Sequence, residues 1–260
     1  MIAWCDGDWI DDGAPAVGAT DRGLLLGDGL FETVLWEDER LQRLERHVQR
    51  LQASAEALGL PAPPAGDALE ATAAAVVARN DLTAKRAAVR ITWSAGSGPR
   101  GLLRGDARPF LLVSAARSPL WETAAAVTTS TITRNAGAPS ARFKTLSYID
   151  NIAARAEAAA QGADEALMLN AYGEIAGGSH SNVFAVIDGR LRTPAVDQGA
   201  LPGTVRARLL EMTDIDVAPI TLNDLLRAEA MALTNALQGV RPVARLDGRA
   251  LQTNHPLIAG

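Results

Sequence analysis

The residue with the most distinctive chemistry is Lys144, at the centre of Arg142-Phe143-Lys144-Thr145-Leu146-Ser147-Tyr148. The chain has two lysines, Lys85 and Lys144, against 23 arginines, so almost every generic surface cation is arginine. A lysine kept in such a chain suits a task that a guanidinium cannot perform: an amine can lose its proton and attack a carbonyl. The neighbours Phe143, Thr145, Leu146 and Tyr148 fit a partly buried site, where burial lowers an amine's pKa. One reading is a lysine that forms a Schiff base; the other is a surface lysine at a loop-to-helix junction. Lys85 sits in the polar turn Asn80-Asp81-Leu82-Thr83-Ala84-Lys85-Arg86 before a strand and reads as solvated.

Three further stretches carry polar groups at useful spacing. His47 and Arg50 lie three apart and either share a functional helix face or are both solvated. Pro202-Gly203 opens a helix whose first amides are left without acceptors. That is a ready anion site, or an ordinary proline-initiated helix. Gly27 and Gly29 permit positive φ or close approach of a ligand, or else form two tight turns. Three histidines (His47, His180, His255) and one cysteine have no spacing that reads as a zinc site.

Composition narrows the class. A chain of 260 residues with 48% hydrophobic content can build one large or two modest cores. Net charge of −5 argues against a dedicated nucleic-acid binder. Cys5 alone excludes an internal disulfide framework and fits a reducing cytoplasm. The start Met1-Ile2-Ala3-Trp4-Cys5-Asp6 lacks the basic and apolar regions of a signal peptide. No run of about eighteen apolar residues is present to span a bilayer.

The elements that must position these groups follow from periodicity. Residues 2–10 read as a first strand or hairpin, residues 21–29 as a glycine-punctuated loop, and Leu30 to Trp36 as a buried strand. Leu44 to Gly59 is an amphipathic helix with Leu44, Val48, Leu51, Ala55 and Leu58 on one stripe. A second helix spans Asp67 to Arg79. Arg86 to Trp93 and Phe110 to Ala115 are strands flanking a flexible loop, residues 95–101. Ser114 to Pro119 marks a boundary, giving domain 1–115, linker 116–120 and domain 121–260. Beyond it come a strand (124–131), an irregular approach to Lys144, and an alanine-rich helix from Tyr148 to Gln161. Strands at 165–170 and 181–187 follow, then a hairpin turn at Asp188-Gly189. Leu201-Pro202-Gly203-Thr204-Val205-Arg206 opens a helix running to about Thr213, and a short helix spans Leu222 to Arg227. Strands at 230–234 and 240–246 close the chain. The class is α+β in two parts.

Several separated segments resemble one family, the fold-type IV enzymes that use pyridoxal phosphate: class IV aminotransferases and aminodeoxychorismate lyase. Gly27-Asp28-Gly29-Leu30-Phe31-Glu32-Thr33 is similar to the family's early signature. His47-Val48-Gln49-Arg50-Leu51 resembles its His-x-x-Arg-Leu helix, whose arginine holds the cofactor phosphate. Lys144 falls where the family's Schiff-base lysine does. Gly173 through Phe184 resembles its long motif, which ends here in Ser181-Asn182-Val183-Phe184. Pro202-Gly203-Thr204-Val205-Arg206 and Thr234-Asn235-Ala236 resemble its two phosphate-cup turns.

The resemblance implies a smaller N-terminal α/β domain and a larger barrel-like C-terminal domain, in the manner of D-amino-acid aminotransferase, with the cofactor in the cleft between them. It also implies a homodimer. Amides of Thr204 and Val205, with Thr234, Asn235 and Ala236, would cradle the phosphate, with Arg50 as countercharge. Tyr148 would sit near the ring hydroxyl, and Phe31, Thr33 and Arg100 would face a small amino substrate. Arg100 is the candidate for a substrate carboxylate, or a plain loop arginine.

One position departs from the pattern. The fifth residue of the motif that starts at Gly173 is, in the family, a glutamate contacting the pyridine nitrogen; here it is Gly177. A carboxylate there keeps the ring nitrogen protonated and the ring a good electron sink. Glu174, three residues earlier on an extended segment, points to the opposite face. Thr33 and Arg100-Gly101 resemble the lyase branch, although Leu102 stands where that branch usually has Tyr. Loss of pyruvate from aminodeoxychorismate is driven by aromatisation and demands less of the sink. The expectation is therefore 4-amino-4-deoxychorismate lyase first. The alternatives are a transaminase of D-amino acids, branched-chain amino acids or primary amines, and a degenerate cofactor-binding protein.

Overall fold

A computed structural model describes residues 1–11 and 13–258. By the contacts it makes, the chain falls into two compact units, Met1–Pro119 with Phe143–Ser147, and Leu120–Arg142 with Tyr148 onward.

The first unit is a six-stranded antiparallel sheet: β1 (Ile2–Cys5), β2 (Asp8–Asp11), β3 (Gly29–Glu37), β4 (Arg40–Leu41), β5 (Ala87–Ser97) and β6 (Arg108–Arg117), in the order β2-β1-β6-β5-β3-β4. Side chains alternate across it, and Leu30, Val34 and Trp36 of β3 join Val89, Ile91 and Trp93 of β5 in one core. Helices α2 (Leu44–Ala57) and α3 (Gly66–Arg79) close that core with Val48, Leu51 and Ala55 of the first and Leu69, Ala73, Val76 and Val77 of the second. Each such leucine or valine adds roughly 1.5–3 kcal/mol by leaving water.

Two local expectations are corrected here. Residues 21–29 are not simply a loop but contain a short helix, α1 (Arg22–Leu26). The Asp21 side chain accepts from Leu24 N at 2.8 Å, and Gly27 at φ +67 ends the helix. Strand β5 also continues through Ser97, with a register shift after Ser94, so the first three residues of the expected 95–101 loop are strand. Five residues expected in the second domain, Phe143–Ser147, belong with the first unit. Phe31 N donates to Lys144 O and Leu146 N to Gly29 O, both at 2.9 Å, so this segment extends the β3 edge. Leu30 faces Thr145 in an antiparallel bridge, and Phe143 packs on the core.

The second unit is a curled half-barrel of nine strands: β7 (Ala125–Thr129), β8 (Glu165–Leu169), β9 (Ile175–Gly178), β10 (Asn182–Ile187), β11 (Arg190–Thr193), β12 (Asp216–Val217), β13 (Ala230–Asn235), β14 (Gly239–Leu246) and β15 (Arg249–Ala250). The order is β12-β11-β10-β13-β14-β7-β8-β9, with β15 on β14. Strand β10 is buried on both faces and accordingly reads as the apolar run Val183-Phe184-Ala185-Val186-Ile187. Val183, Ala185 and Ile187 pack with Leu233, Ile220 and Leu225 on one side; Phe184 and Val186 pack with Ala230 and Ala232 on the other. Helices α4 (Pro139–Arg142), α5 (Ile149–Ala160), α6 (Thr204–Met212) and α7 (Leu222–Leu226) complete the unit. The small residues Ala154 and Ala158 set α5 against Ala166 and Met168 of β8. Among the described residues no helix is long and apolar enough to cross a membrane.

Candidate active site

In the first unit, Lys144 is partly buried and its Nζ lies over the Phe31 ring, 4.2 Å from the centroid. Its backbone is locked to β3, so the amine projects from a strand edge rather than from a free loop. The Arg90 guanidinium covers the same ring at 3.9 Å. Thr33, two residues on, follows Phe31 onto that face. Phe31 and Lys144 are thus brought together, with Thr33 on the same face of β3. Lys85 is exposed, as its polar turn predicts.

Glu32, between Phe31 and Thr33, points the other way, toward α2. It is 1% exposed, and its carboxylate accepts from Arg50 Nε at 2.7 Å and Arg50 Nη2 at 2.6 Å. His47 Nδ1 lies 2.6 Å from the same carboxylate. The helical i, i+3 spacing of His47 and Arg50 is what lets both reach one acceptor. Solvation of this pair is ruled out: His47 is 1% exposed and Arg50 is largely covered. Burial alone would raise the Glu32 pKa, but the charge and hydrogen bonds of Arg50, with His47, hold it at about 2. Burial also pushes the His47 pKa down, against the pull of Glu32. The guanidinium expected to serve the phosphate therefore has Nε and Nη2 engaged by Glu32.

Arg100 is exposed, in a bend after β5. The sequence did not single out Arg22, which organises that loop. It is 3% exposed and donates to the carbonyls of Gly101 (2.8 Å) and Leu102 (2.9 Å) and to Asp28 (2.9 Å). Asp28 also accepts from Arg104 at 2.7 Å. Burial works to raise the Asp28 pKa, but the two arginines hold it below the usual carboxylate range. A buried arginine feeding backbone carbonyls fixes a glycine-containing loop that has few hydrogen bonds of its own.

The second unit contains the anion-cradle candidates. Helix α6 begins at Thr204, capped by Gly203 in extended conformation, and Thr204, Val205 and Arg206 are buried at its start. Thr234, near the end of β13, is 2% exposed and its Oγ1 is buried with no hydrogen-bond partner. An orphaned hydroxyl costs about 1–3 kcal/mol unless a ligand satisfies it. Asn182 connects the two pieces. It pairs with Thr234 across β10 and β13, and its Nδ2 donates to Leu201 O at 2.8 Å. A Cβ on residue 203 would collide with Asn182 Oδ1, so Gly203 lets that turn approach. Asn235 Oδ1 accepts from Leu237 N at 3.0 Å and Gln238 N at 2.8 Å, which shapes the turn through Ala236. Asn182 thus ties the turn that precedes Thr204 to Thr234 of β13.

Gly177 lies in β9 at φ +142, a conformation that side chains avoid, and a Cβ there would sit 3.2 Å from Ser181 O. On that side the nearest side-chain atom is Nη1 of Arg134, 4.0 Å from the Cβ position. Gly178 faces the other way, toward Glu165. Glu165 is 1% exposed and accepts from the Ala166 and Ser179 amides and from the Ser179 and Ser181 hydroxyls, with His180 Nδ1 at 3.0 Å. Burial would raise its pKa, yet His180 and the serines hold it at about 2. Glu174 is tied to Asn170 Nδ2 at 2.9 Å. Tyr148 caps the start of α5, partly buried.

The Amino-transferase class IV profile matches residues 29–246, and the chain belongs to that family. A bifunctional aminodeoxychorismate lyase / D-amino acid transaminase of Mycobacterium tuberculosis is 30% identical, covering 96% of this chain and 93% of the relative. A hypothetical aminotransferase of Mycobacterium tuberculosis, in a PLP-bound form, superposes with a TM-score of 0.87 at 28% identity, covering 99% and 94%. A fold IV transaminase from Curtobacterium pusillum gives 0.84 at 31% identity, covering 97% and 88%. Class IV aminotransferases use pyridoxal phosphate. The second unit fits that group: the orphaned Thr234 hydroxyl and the start of α6 are the donor set that a phosphate dianion requires.

Proposed function

We propose that the chain is a pyridoxal-phosphate enzyme acting on a small amino substrate, with 4-amino-4-deoxychorismate lyase as the first reading. When bound, the cofactor supplies an electrophilic carbonyl and a ring that accepts electron density from the substrate. The chain's own residues do the rest. Thr204, Val205, Thr234, Asn235 and Ala236 bind the phosphate, with Arg50 as countercharge. Tyr148 and the Gly177 backbone border the ring. Lys144 serves first as nucleophile and then, once released, holds and moves the proton at its Nζ. Arg100 takes a substrate carboxylate, and Phe31 and Thr33 line the substrate side.

The observation that carries the lyase reading is Gly177, whose face presents an arginine and no carboxylate. A weak electron sink suits a reaction whose product is aromatic. D-amino-acid transamination is the second reading, favoured by the two activities in the name of the Mycobacterium tuberculosis relative. The homodimer and the cytoplasmic setting rest on the family resemblance and on the single cysteine.

The test supplies aminodeoxychorismate, D-amino acids and L-amino acids separately and follows aminobenzoate release and keto-acid formation. Release of aminobenzoate faster than any transamination is expected; transamination alone overturns the lyase reading. Borohydride should fix the cofactor to Lys144, and Lys144→Ala should abolish that label while Lys85→Ala leaves it. Label on Lys85 would sink the assignment.

A further inference from the structure

Arg134 sits in the segment between β7 and α4, and its backbone is held beside β8: its N–H donates to Leu169 O at 2.8 Å. The side chain is largely withdrawn from water, yet its acceptors are weak. Nη2 contacts Met168 Sδ at 3.1 Å and Gly178 O at 3.3 Å, and Nη1 reaches Gly199 O at 3.5 Å. Among the described residues no carboxylate forms an ion pair with it; the acidic groups that act on it are Tyr148, Glu165 and Asp150, from a distance. Glu165, the one buried carboxylate nearby, lies on the Gly178 side and is filled by Ser179, Ser181 and His180. Burial pushes the Arg134 pKa down, but an arginine stays charged. A half-buried cation with spare donors can take a further acceptor.

A position that the resemblance sets against the cofactor ring meets this guanidinium: a Cβ at Gly177 would lie 4.0 Å from Nη1. The geometry points to Arg134 as the group that meets the cofactor's pyridine nitrogen in place of a carboxylate, donating to it and keeping it unprotonated; this rests on the cofactor reading above. A guanidinium can only donate, and an unprotonated pyridine nitrogen can only accept, so the two match. A pyridinium N–H would set donor against donor and cation against cation. The chain therefore weakens its electron sink through a placed arginine, and does not merely lack a glutamate.

The test reads the ring directly. The holoenzyme is loaded with pyridoxal phosphate labelled with nitrogen-15 in the ring, and the ring resonance is followed across neutral pH. Wild type and Arg134→Lys should show an unprotonated nitrogen. Arg134→Glu should move the resonance to that of a pyridinium. Arg134→Met, which keeps the packing and loses the charge, should raise the pH at which the nitrogen takes up its proton. A pyridinium in wild type overturns the inference alone. So does a resonance indifferent to both Glu and Met, including the case where Arg134→Met only raises the KM for a carboxylate substrate. A chain that takes up no pyridoxal phosphate overturns the cofactor reading as well.

Discussion

Arg50 and Glu32 form a two-pronged ion pair, Nε to Oε1 at 2.7 Å and Nη2 to Oε2 at 2.6 Å, with the carboxylate 1% exposed. Removing one partner leaves the other charged and buried. Glu32→Gln should therefore cost about 3 kcal/mol of stability, measured by urea unfolding. Arg50→Ala should also weaken cofactor retention by roughly ten- to a hundredfold. Glu32→Gln should share that loss, because Glu32 aims the guanidinium. Unchanged cofactor affinity in both variants would make the pair purely structural.

The carboxylates of Glu32 and Glu165, both held at about 2, give the fold an acid limb. A carboxylate whose folded pKa lies below its unfolded value of roughly 4.3 stabilises at every higher pH. That contribution, of order 3 kcal/mol for each, drains away as pH falls from about 4.3 toward 2. His47 is also depressed, so its contribution begins to fall below its unfolded value of roughly 6.5. The urea midpoint should decline gently below about pH 6.5 and steeply below about pH 4. Glu165→Gln should flatten the steep part; an unchanged slope would contradict the assignment.

Thr234→Val removes a buried hydroxyl that has no partner in the protein. The apo protein should be as stable as wild type or slightly more so. Affinity for pyridoxal phosphate should fall about tenfold, the worth of one hydrogen bond to a charged group. Equal affinity by fluorescence titration would remove Thr234 from the phosphate cradle.

Placing a carboxylate at position 177 meets a conformational obstacle. At φ +142, with Ser181 O at 3.2 Å from the Cβ position, even Gly177→Ala should cost about 1–3 kcal/mol. Gly177→Glu would add an ion pair with Arg134 and so should recover part of that loss. The melting temperatures of the two variants, compared with wild type, measure both terms. A neutral Gly177→Ala would show that the backbone relaxes.

The groups legible in the sequence were those whose signal is local. Lys144 stood out because lysine is scarce, and the His47 and Arg50 spacing lies within one helix. The strands read at 30–36 and 181–187 were legible from apolar runs. What escaped depends on distance along the chain. Glu32 meets Arg50 only because β3 lies under α2; its one local sign is a glutamate inside an otherwise apolar strand. Arg22 reaches carbonyls almost eighty residues away, which no periodicity encodes. Arg134 looked like any arginine in an irregular segment, and the role proposed for it rests on its place beside Gly177.

The detour of Phe143–Ser147 into the first unit has a consequence for biosynthesis. Chains emerge from the ribosome N-terminus first, and domains begin to fold as they appear. The first unit, however, stays unfinished through some two dozen residues of the second, because its edge beside Leu30 is waiting for Thr145. A fragment ending at Pro119 should show fast hydrogen exchange at the Phe31 amide, which Lys144 O protects in the whole chain. Lys144, the proposed nucleophile, arrives on the same segment that closes the edge. A chain released prematurely, before Phe143, thus carries neither a sealed first unit nor Lys144.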